Sequence, residues 1–217
     1  MKSLFKDALI LFVITLVAGI SLGFVYEITK DARAEQAMMK KNNAYKAVFE
    51  DYEDFKQIDF TQISFNELDL TSIVGLDDAI NKAGYNSNAV IVDGVAELVL
   101  GDDINGYVIT VTSKEGYGGD IQFTVGFDMN GKVTGISMLS ISETAGLGMK
   151  AKEKDFLDGY VGKSGGNFAV NKDNVTGATN EIDAISGATI TTRAVTKGVN
   201  VAYITASYIL NGGDINE

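Results

Sequence analysis

The chain reads as an α+β protein: an N-terminal transmembrane helix, then one domain with an antiparallel sheet packed by helices. Three observations predict this. Residues 8–26 are 19 consecutive uncharged, mostly apolar residues. The middle of the chain carries β-rich runs punctuated by Asp93-Gly94, Asn105-Gly106 and Asn130-Gly131, dipeptides whose tolerance of positive φ marks hairpins. Near the C-terminus, Val195, Val199, Ala202, Ala206 and Ile209 recur at spacings of three and four, so they share one helical face.

At ~1.5 Å per residue the apolar run nearly crosses a ~30 Å hydrocarbon core. A cleaved signal peptide has a shorter apolar region, ~7–15 residues, and although Ala32-Arg33-Ala34 imitates a cleavage site, a retained anchor over residues 1–30 is the expectation. Lys2 and Lys6 precede the run, and Lys30, Arg33, Lys40 and Lys41 follow it. That balance argues weakly against a cytoplasmic N-terminus, but long trailing domains translocate largely regardless of charge.

Residues 31–60 read as a helical stalk and docking helix, with Val48, Phe49, Tyr52 and Phe55 at helical spacing. Glu50, Asp51, Glu53 and Asp54 lack calcium-loop spacing and read as a solvated acidic face, so no metal site is expected. Residues 60–76 have mixed periodicity and carry no assignment. A short helix from Asp77, as N-cap, to Ala83 stops at Gly84. The meander follows: strands 89–92, 95–100, 107–112, 121–127 and 132–139, leaving one polar sheet face available. Gly-rich pieces interrupt it at 114–120 and 142–149. Neither has phosphate-loop spacing, and neither opens a βαβ unit. Asn211-Gly212-Gly213 ends the last helix.

The 217 residues carry a net charge of −11 and no Cys, His, Pro or Trp. A nucleic-acid partner is therefore excluded, for want of a basic stripe. Disulfides, iron–sulfur ligation and Cys/His zinc sites are excluded with the missing side chains, as is the commonest general base. Electron handling by such a chain requires an organic cofactor.

The stretch Asp183-Ala184-Ile185-Ser186-Gly187-Ala188-Thr189 is the strongest local signal. Small residues keep its backbone open, and the helix that follows points N–H groups and positive dipole at whatever binds there, which suits a phosphate. Taken alone it also reads as an ordinary Thr-capped helix. The residues resemble the flavinylation motif, Asp-x-x-Ser/Thr-Gly-Ala-Thr, of FMN-binding domains in the Rnf and Na+-translocating NADH:quinone oxidoreductase complexes. In that family a flavin transferase moves FMN from FAD onto the final Thr as a phosphoester. The resemblance makes Thr189 the acceptor and Gly187, with Ala188, the point of close approach. It has Ser186 orient the phosphate, assigns Asp183 to positioning Thr189 or meeting the transferase, and includes Thr192 in the cofactor site. Asp173-Asn174-Val175-Thr176-Gly177-Ala178-Thr179 repeats the pattern ten residues earlier. No apolar helical face follows Thr179, so Thr189 is preferred.

Two further segments carry the resemblance. Gly116-Tyr117-Gly118-Gly119 resembles the family's hairpin. Glu143-Thr144-Ala145-Gly146-Leu147-Gly148 resembles its Glu-Thr-Pro-Gly-Leu-Gly loop beside the flavin, with Ala145 in place of Pro. That adds Glu143, Thr144, Gly146, Leu147 and Gly148 to the expected cofactor-binding residues, Leu147 packing against the ring. The resemblance continues through 151–157 and covers the anchor and roughly residues 85–212.

It implies an FMN-binding domain over residues 61–217 and a protein closest to the G subunit of Rnf complexes. The expected function is an electron relay with covalent FMN, within a complex passing electrons between ferredoxin and NAD+ while moving Na+ or H+. The chain would be a non-autonomous part of that oxidoreductase, with the other subunits and a flavin transferase as partners. The domain would lie on the outer face of the cytoplasmic membrane. With no nicotinamide or iron–sulfur motif, the chain supplies no catalytic residue of its own for the full reaction. The contrasting expectation is an anchored extracytoplasmic binding or structural module that never receives flavin.

Overall fold

A computed structural model describes residues 2–56, 62–171 and 180–213. The chain divides into two units, residues 1–42 and 43–217. The described part of the first is helical throughout, belonging to α1 (Lys2–Glu50). Its apolar segment has a mean hydropathy of 2.7 and none of it is buried, so it is long and apolar enough to cross a membrane.

In the second unit, β1 (Ile63–Leu68), β2 (Val90–Leu100), β3 (Asp103–Ser113), β4 (Ile121–Asp128) and β5 (Val133–Ser140) form one antiparallel sheet in chain order. α2 (Leu76–Lys82) lies between β1 and β2. After β5 come a 3-10 turn (Gly148–Lys152), the single-turn α3 (Lys154–Leu157), a parallel pair β6 (Phe168–Val170) and β7 (Asn180–Ile182), and α4 (Thr189–Leu210).

α4 covers one face of the sheet with the apolar stripe the sequence announces. Val195, Val199, Ala202 and Ala206 are buried with Ile109, Val111, Phe123 and Val125 in one core. Gly198 permits the close approach, because a Cβ there would meet the Phe123 ring at 2.5 Å. Asn200 adds a polar clamp: its Oδ1 accepts from Phe168 N and its Nδ2 donates to Phe168 O, both at 2.8 Å.

The expected polar face is polar only in part: it carries Thr110, Thr112, Gln122 and Thr124, but its other half is apolar and covered. Tyr45, Val48 and Phe49, at the end of α1, pack with Phe55 on Ala96, Leu98 and Val108 in a second core. Three strand glycines form their track. A Cβ on Gly126 would lie 2.8 Å from Val48 Cγ2, one on Gly135 2.6 Å from Val48 O, and one on Gly106 3.1 Å from Phe49 Cε1. Glycine in a strand often marks a close backbone approach, and here a helix end makes it.

Other differences are local. Asp93-Gly94 is not a hairpin turn but an irregularity inside β2. The pairing skips Asp93, whose carboxylate accepts from Thr112 on the neighbouring β3 and from Gln122 one strand further, on β4. The β2–β3 turn is Gly101-Asp102, with Gly101 at φ +67°, so Asn105-Gly106 lies within β3. α2 starts at Leu76, and its N-cap is Gly75 at φ +87°; Asp77 falls inside the first turn. The unassigned stretch contains edge strand β1. α1 ends at Glu50, so Tyr52 and Phe55 follow in turns rather than on the helix. The Asn130-Gly131 turn forms as expected, Asp128 Oδ1 accepting from Asn130 N and Lys132 N at 2.9 and 2.8 Å. Gly212 and Gly213, both at positive φ, follow α4.

Candidate functional site

Three segments meet at the N-terminal end of α4: the 114–120 hairpin, the loop leaving β5 and the loop before α4. They enclose an open cleft of about 570 Å³, within the ~300–1,000 Å³ of small-molecule sites. Clefts of about 620 and 640 Å³ open elsewhere, so size does not select the site; its contents do.

The α4 side begins with a tight turn. Ala188 N donates to Ile185 O at 2.9 Å, and Gly187 sits at φ +76°. A Cβ on Gly187 would meet Leu147 Cδ2 at 3.0 Å, so the glycine supplies both the conformation and the room. Ala188 is the N-cap, and no side chain caps the helix. Thr189 is therefore not a capping residue; it is the first helical residue, half-buried in the cleft wall. Among the described residues, the N–H groups of Thr189, Ile190 and Thr191 have no hydrogen-bond partner.

The β5 exit loop is shaped by Thr144 O, which accepts from Leu147 N and Met149 N, both at 3.1 Å, around Gly146 at φ +75°. Glu143 is buried beneath it, and its Oε1 accepts from Gly118 N at 3.2 Å. The hairpin thus hangs on a carboxylate. A Cβ on Gly118 would strike Ser142 O at 2.2 Å, and one on Gly148 would strike Glu143 Oε2 at 2.6 Å and Thr191 Oγ1 at 2.7 Å. The Glu115–Lys197 ion pair, 2.7 Å, ties the hairpin to α4.

Of the expected site residues, Glu143, Thr144, Leu147, Gly148, Gly187, Ala188 and Thr189 line the cleft. Asp183, Ser186, Gly146 and Thr192 do not. Asp183 is exposed and accepts from Asn171; Ser186 is exposed; Thr192 is buried behind the turn. The repeat ending at Thr179 lies outside the described residues.

Sequence reasoning left Tyr117, Ile190 and Thr191 out of the site, yet all three line the cleft. Tyr117, Ile190 and Leu147 are 71, 50 and 42% exposed, an apolar mouth on a cleft whose back is polar. The signal was present. Tyr117 is an aromatic set among glycines, and Ile190 is apolar but off the buried stripe of its helix.

The family model described as "FMN-binding domain" matches residues 116–204, a span that starts in the hairpin, includes the β5 exit loop and runs through most of α4. This is the class of domain that holds the cleft. The G subunit of the Na(+)-translocating ferredoxin:NAD(+) oxidoreductase complex of Acetobacterium woodii is 30% identical over 205 residues, 93% of this chain and 90% of that one. The G subunit of the proton-translocating ferredoxin:NAD(+) oxidoreductase complex of Clostridium ljungdahlii is 30% identical over 186 residues, 86% of this chain and 82% of that one. Among solved structures, NqrC of Shewanella oneidensis has a TM-score of 0.47 at 16% identity, covering 74% of this chain and 85% of that one. The chain belongs to the G-subunit family of ion-translocating ferredoxin:NAD(+) oxidoreductase complexes.

The cleft suits a flavin mononucleotide at both of its ends. Uncapped N–H groups at a helix terminus suit a phosphate, and the apolar mouth suits a planar ring. Among the described residues, no group of three or more His, Cys, Asp or Glu side chains is placed to hold a metal ion.

Proposed function

We propose that this chain is a membrane-anchored electron-relay subunit carrying FMN as a phosphoester on Thr189, within a complex that moves electrons between ferredoxin and NAD+ and transports Na+ or H+. The observation that carries the reading is the position of Thr189. It stands in the cleft wall, beside N–H groups that have no partner among the described residues, with exposed Tyr117 and Leu147 lining the same cleft.

During maturation the Thr189 Oγ attacks the flavin-bearing phosphorus of FAD. The P–O bond to the adenylate breaks and AMP leaves. The hydroxyl proton passes to a base on the transferase, since a Thr hydroxyl is a poor nucleophile without one and this chain contains no His. Once attached, the isoalloxazine supplies the redox chemistry. The N–H groups of the first helical turn would hold the phosphodiester, and Tyr117, Leu147 and Ile190 would bound the ring. Asp183 and Ser186, exposed outside the cleft, face the transferase.

Residues 1–30 act as the anchor, 31–60 as stalk and docking helix, and 61–217 as the FMN-carrying domain on the extracytoplasmic side. Relatives of this length named as G subunits of such complexes support the other subunits as partners.

The test is a mass map of the full chain co-expressed with its flavin transferase. Trypsin leaves both candidate threonines in one peptide, between Lys172 and Arg193, whereas cleavage after Glu181 separates them. One FMN less a water on the fragment bearing Thr189, retained after denaturation, is expected. Thr189→Val abolishes it, with a stability change within about 0.5 kcal/mol, because the side chain caps nothing. FMN on Thr179, or a colourless chain beside a transferase active on another substrate, refutes the reading.

A further inference from the structure

Thr192 belongs to the motif region, yet it does not touch the cleft. Its side chain is fully buried. Its Oγ1 accepts from Ile185 N at 3.1 Å and donates to Ala188 O at 2.9 Å. One hydroxyl thus ties the chain on both sides of Ser186-Gly187, the two residues that bend it toward Thr189.

This arrangement inverts the usual helix cap. An N-cap side chain accepts from a first-turn N–H and so uses up one of the helix's free donors. Here the loop is fastened from the fourth residue of the helix, through an N–H outside it. Among the described residues, the donors of Thr189, Ile190 and Thr191 are left unspent. Behind Thr192, Thr196 Oγ1 donates to Thr192 O at 2.8 Å, and Tyr160 OH donates to Thr196 Oγ1 at 2.8 Å. These two bonds lie within α4 and the core and involve neither the Thr192 hydroxyl nor the 185–188 turn.

We infer that Thr192 is a positioning residue for flavin attachment: its hydroxyl holds the 185–188 turn in the one shape that presents Thr189 Oγ and the free N–H groups together. The inference rests on the proposed covalent linkage. It concerns the approach geometry of the same transfer, in which Thr189 Oγ displaces AMP from FAD.

Valine has the shape of Thr192 without the hydroxyl, so Thr192→Val frees the Ile185 N–H and the Ala188 side of the loop while keeping the packing. Misplacing a reacting group by ~1 Å costs on the order of 100-fold in rate, so attachment slows roughly ten- to a hundredfold. Thr192→Ser keeps the oxygen and restores the rate. Thr196→Val removes two buried hydrogen bonds one turn deeper, to Thr192 O and with Tyr160 OH. It lowers the melting temperature and leaves attachment near the wild-type rate.

The experiment uses the full chain with FAD and an active transferase, at a temperature well below every variant's melting point. Intact mass follows the rate. Hydrogen exchange at the Ile185 amide, on chain not yet exposed to the transferase, reports the clamp independently. A slow Thr192→Val with lost Ile185 protection, beside a normal Thr196→Val, is the expected result. A wild-type rate for Thr192→Val overturns the inference, and so does equal slowing in Thr196→Val, which would make the effect general destabilisation. If Thr192→Val does not fold, Thr192→Cys takes its place. The thiol is a weak donor and acceptor, so an intermediate rate is expected and a normal one overturns the inference. A wild-type chain that gains no flavin, beside a control substrate that does, removes the covalent linkage itself; that failure is told apart by the wild-type arm alone.

Discussion

Gly148→Ala tests the joint on which the cleft depends. Gly148 opens the 3-10 turn after the β5 exit loop, where that loop meets the first turn of α4. A methyl there sits 2.6 Å from Glu143 Oε2, 2.8 Å from Glu143 Cβ and 2.7 Å from Thr191 Oγ1. Neither neighbour yields easily, since Thr191 is 1% and Glu143 8% exposed. Overpacking of this kind costs about 1–3 kcal/mol. If Glu143 gives way, its charged hydrogen bond to Gly118 N goes as well, another ~1.5–3 kcal/mol. A total on the order of 3 kcal/mol lowers the melting temperature of a unit this size by about 6–12 °C. Gly146→Ala, two residues earlier, is the control. Open space surrounds Gly146, but its φ of +75° costs an L-residue about 1 kcal/mol, or about 2–4 °C. Calorimetry on the detergent-solubilised chain measures both. If Gly148→Ala melts within a few degrees of wild type, or Gly146→Ala proves the worse of the two, the claim that Glu143 and Thr191 are locked around Gly148 is wrong.

Three other outcomes follow from the packing. A chain lacking residues 1–42 folds, whereas one lacking 1–50 does not: burying Tyr45, Val48 and Phe49 contributes about 1.5–3 kcal/mol each, together near the whole stability of a domain, as circular dichroism of the two truncations would reveal. Asn200→Ala orphans Phe168 N and O and costs about 2–4 kcal/mol, read from chemical denaturation midpoints. Burial pushes the Tyr160 phenol well above its ordinary value of 10.0, against a smaller opposing effect of its hydrogen bond to Thr196. Above about pH 10 the unfolded chain loses that proton while the folded one keeps it, so stability is intact below pH 10 and falls as pH rises, by up to ~1.4 kcal/mol per pH unit. Tyr160→Phe makes that decline shallower in denaturation curves from about pH 8 to 11. A residual slope remains from Tyr52, Tyr85 and Tyr107, which burial also raises.

What could be read from the sequence was whatever depends on neighbours along the chain. The α4 stripe, the Asn130-Gly131 turn and the small-residue loop each state their structure within a short stretch of chain. The errors came from distant partners. Asp93-Gly94 has the chemistry of a turn, but β2 continues through it because Thr112 and Gln122, on the two strands that follow, satisfy the Asp93 carboxylate. Gly106, Gly126 and Gly135 look like weak points in separate strands until Val48 and Phe49 are laid across them. Nothing near those glycines announces a helix end so much earlier in the chain.

The same distinction runs through the site. Thr189, Gly187 and Leu147 are legible because short motifs surround them. The reason they meet is not, because it lies in cross-braces: Glu143 under Gly118, Lys197 to Glu115, Gly148 against Thr191, Leu147 against Gly187. All four fasten the back and sides of the cleft. None covers its mouth, where Tyr117, Leu147 and Ile190 stay exposed. A cleft braced at its polar back and apolar at its front can take a phosphate at one end and a planar ring at the other.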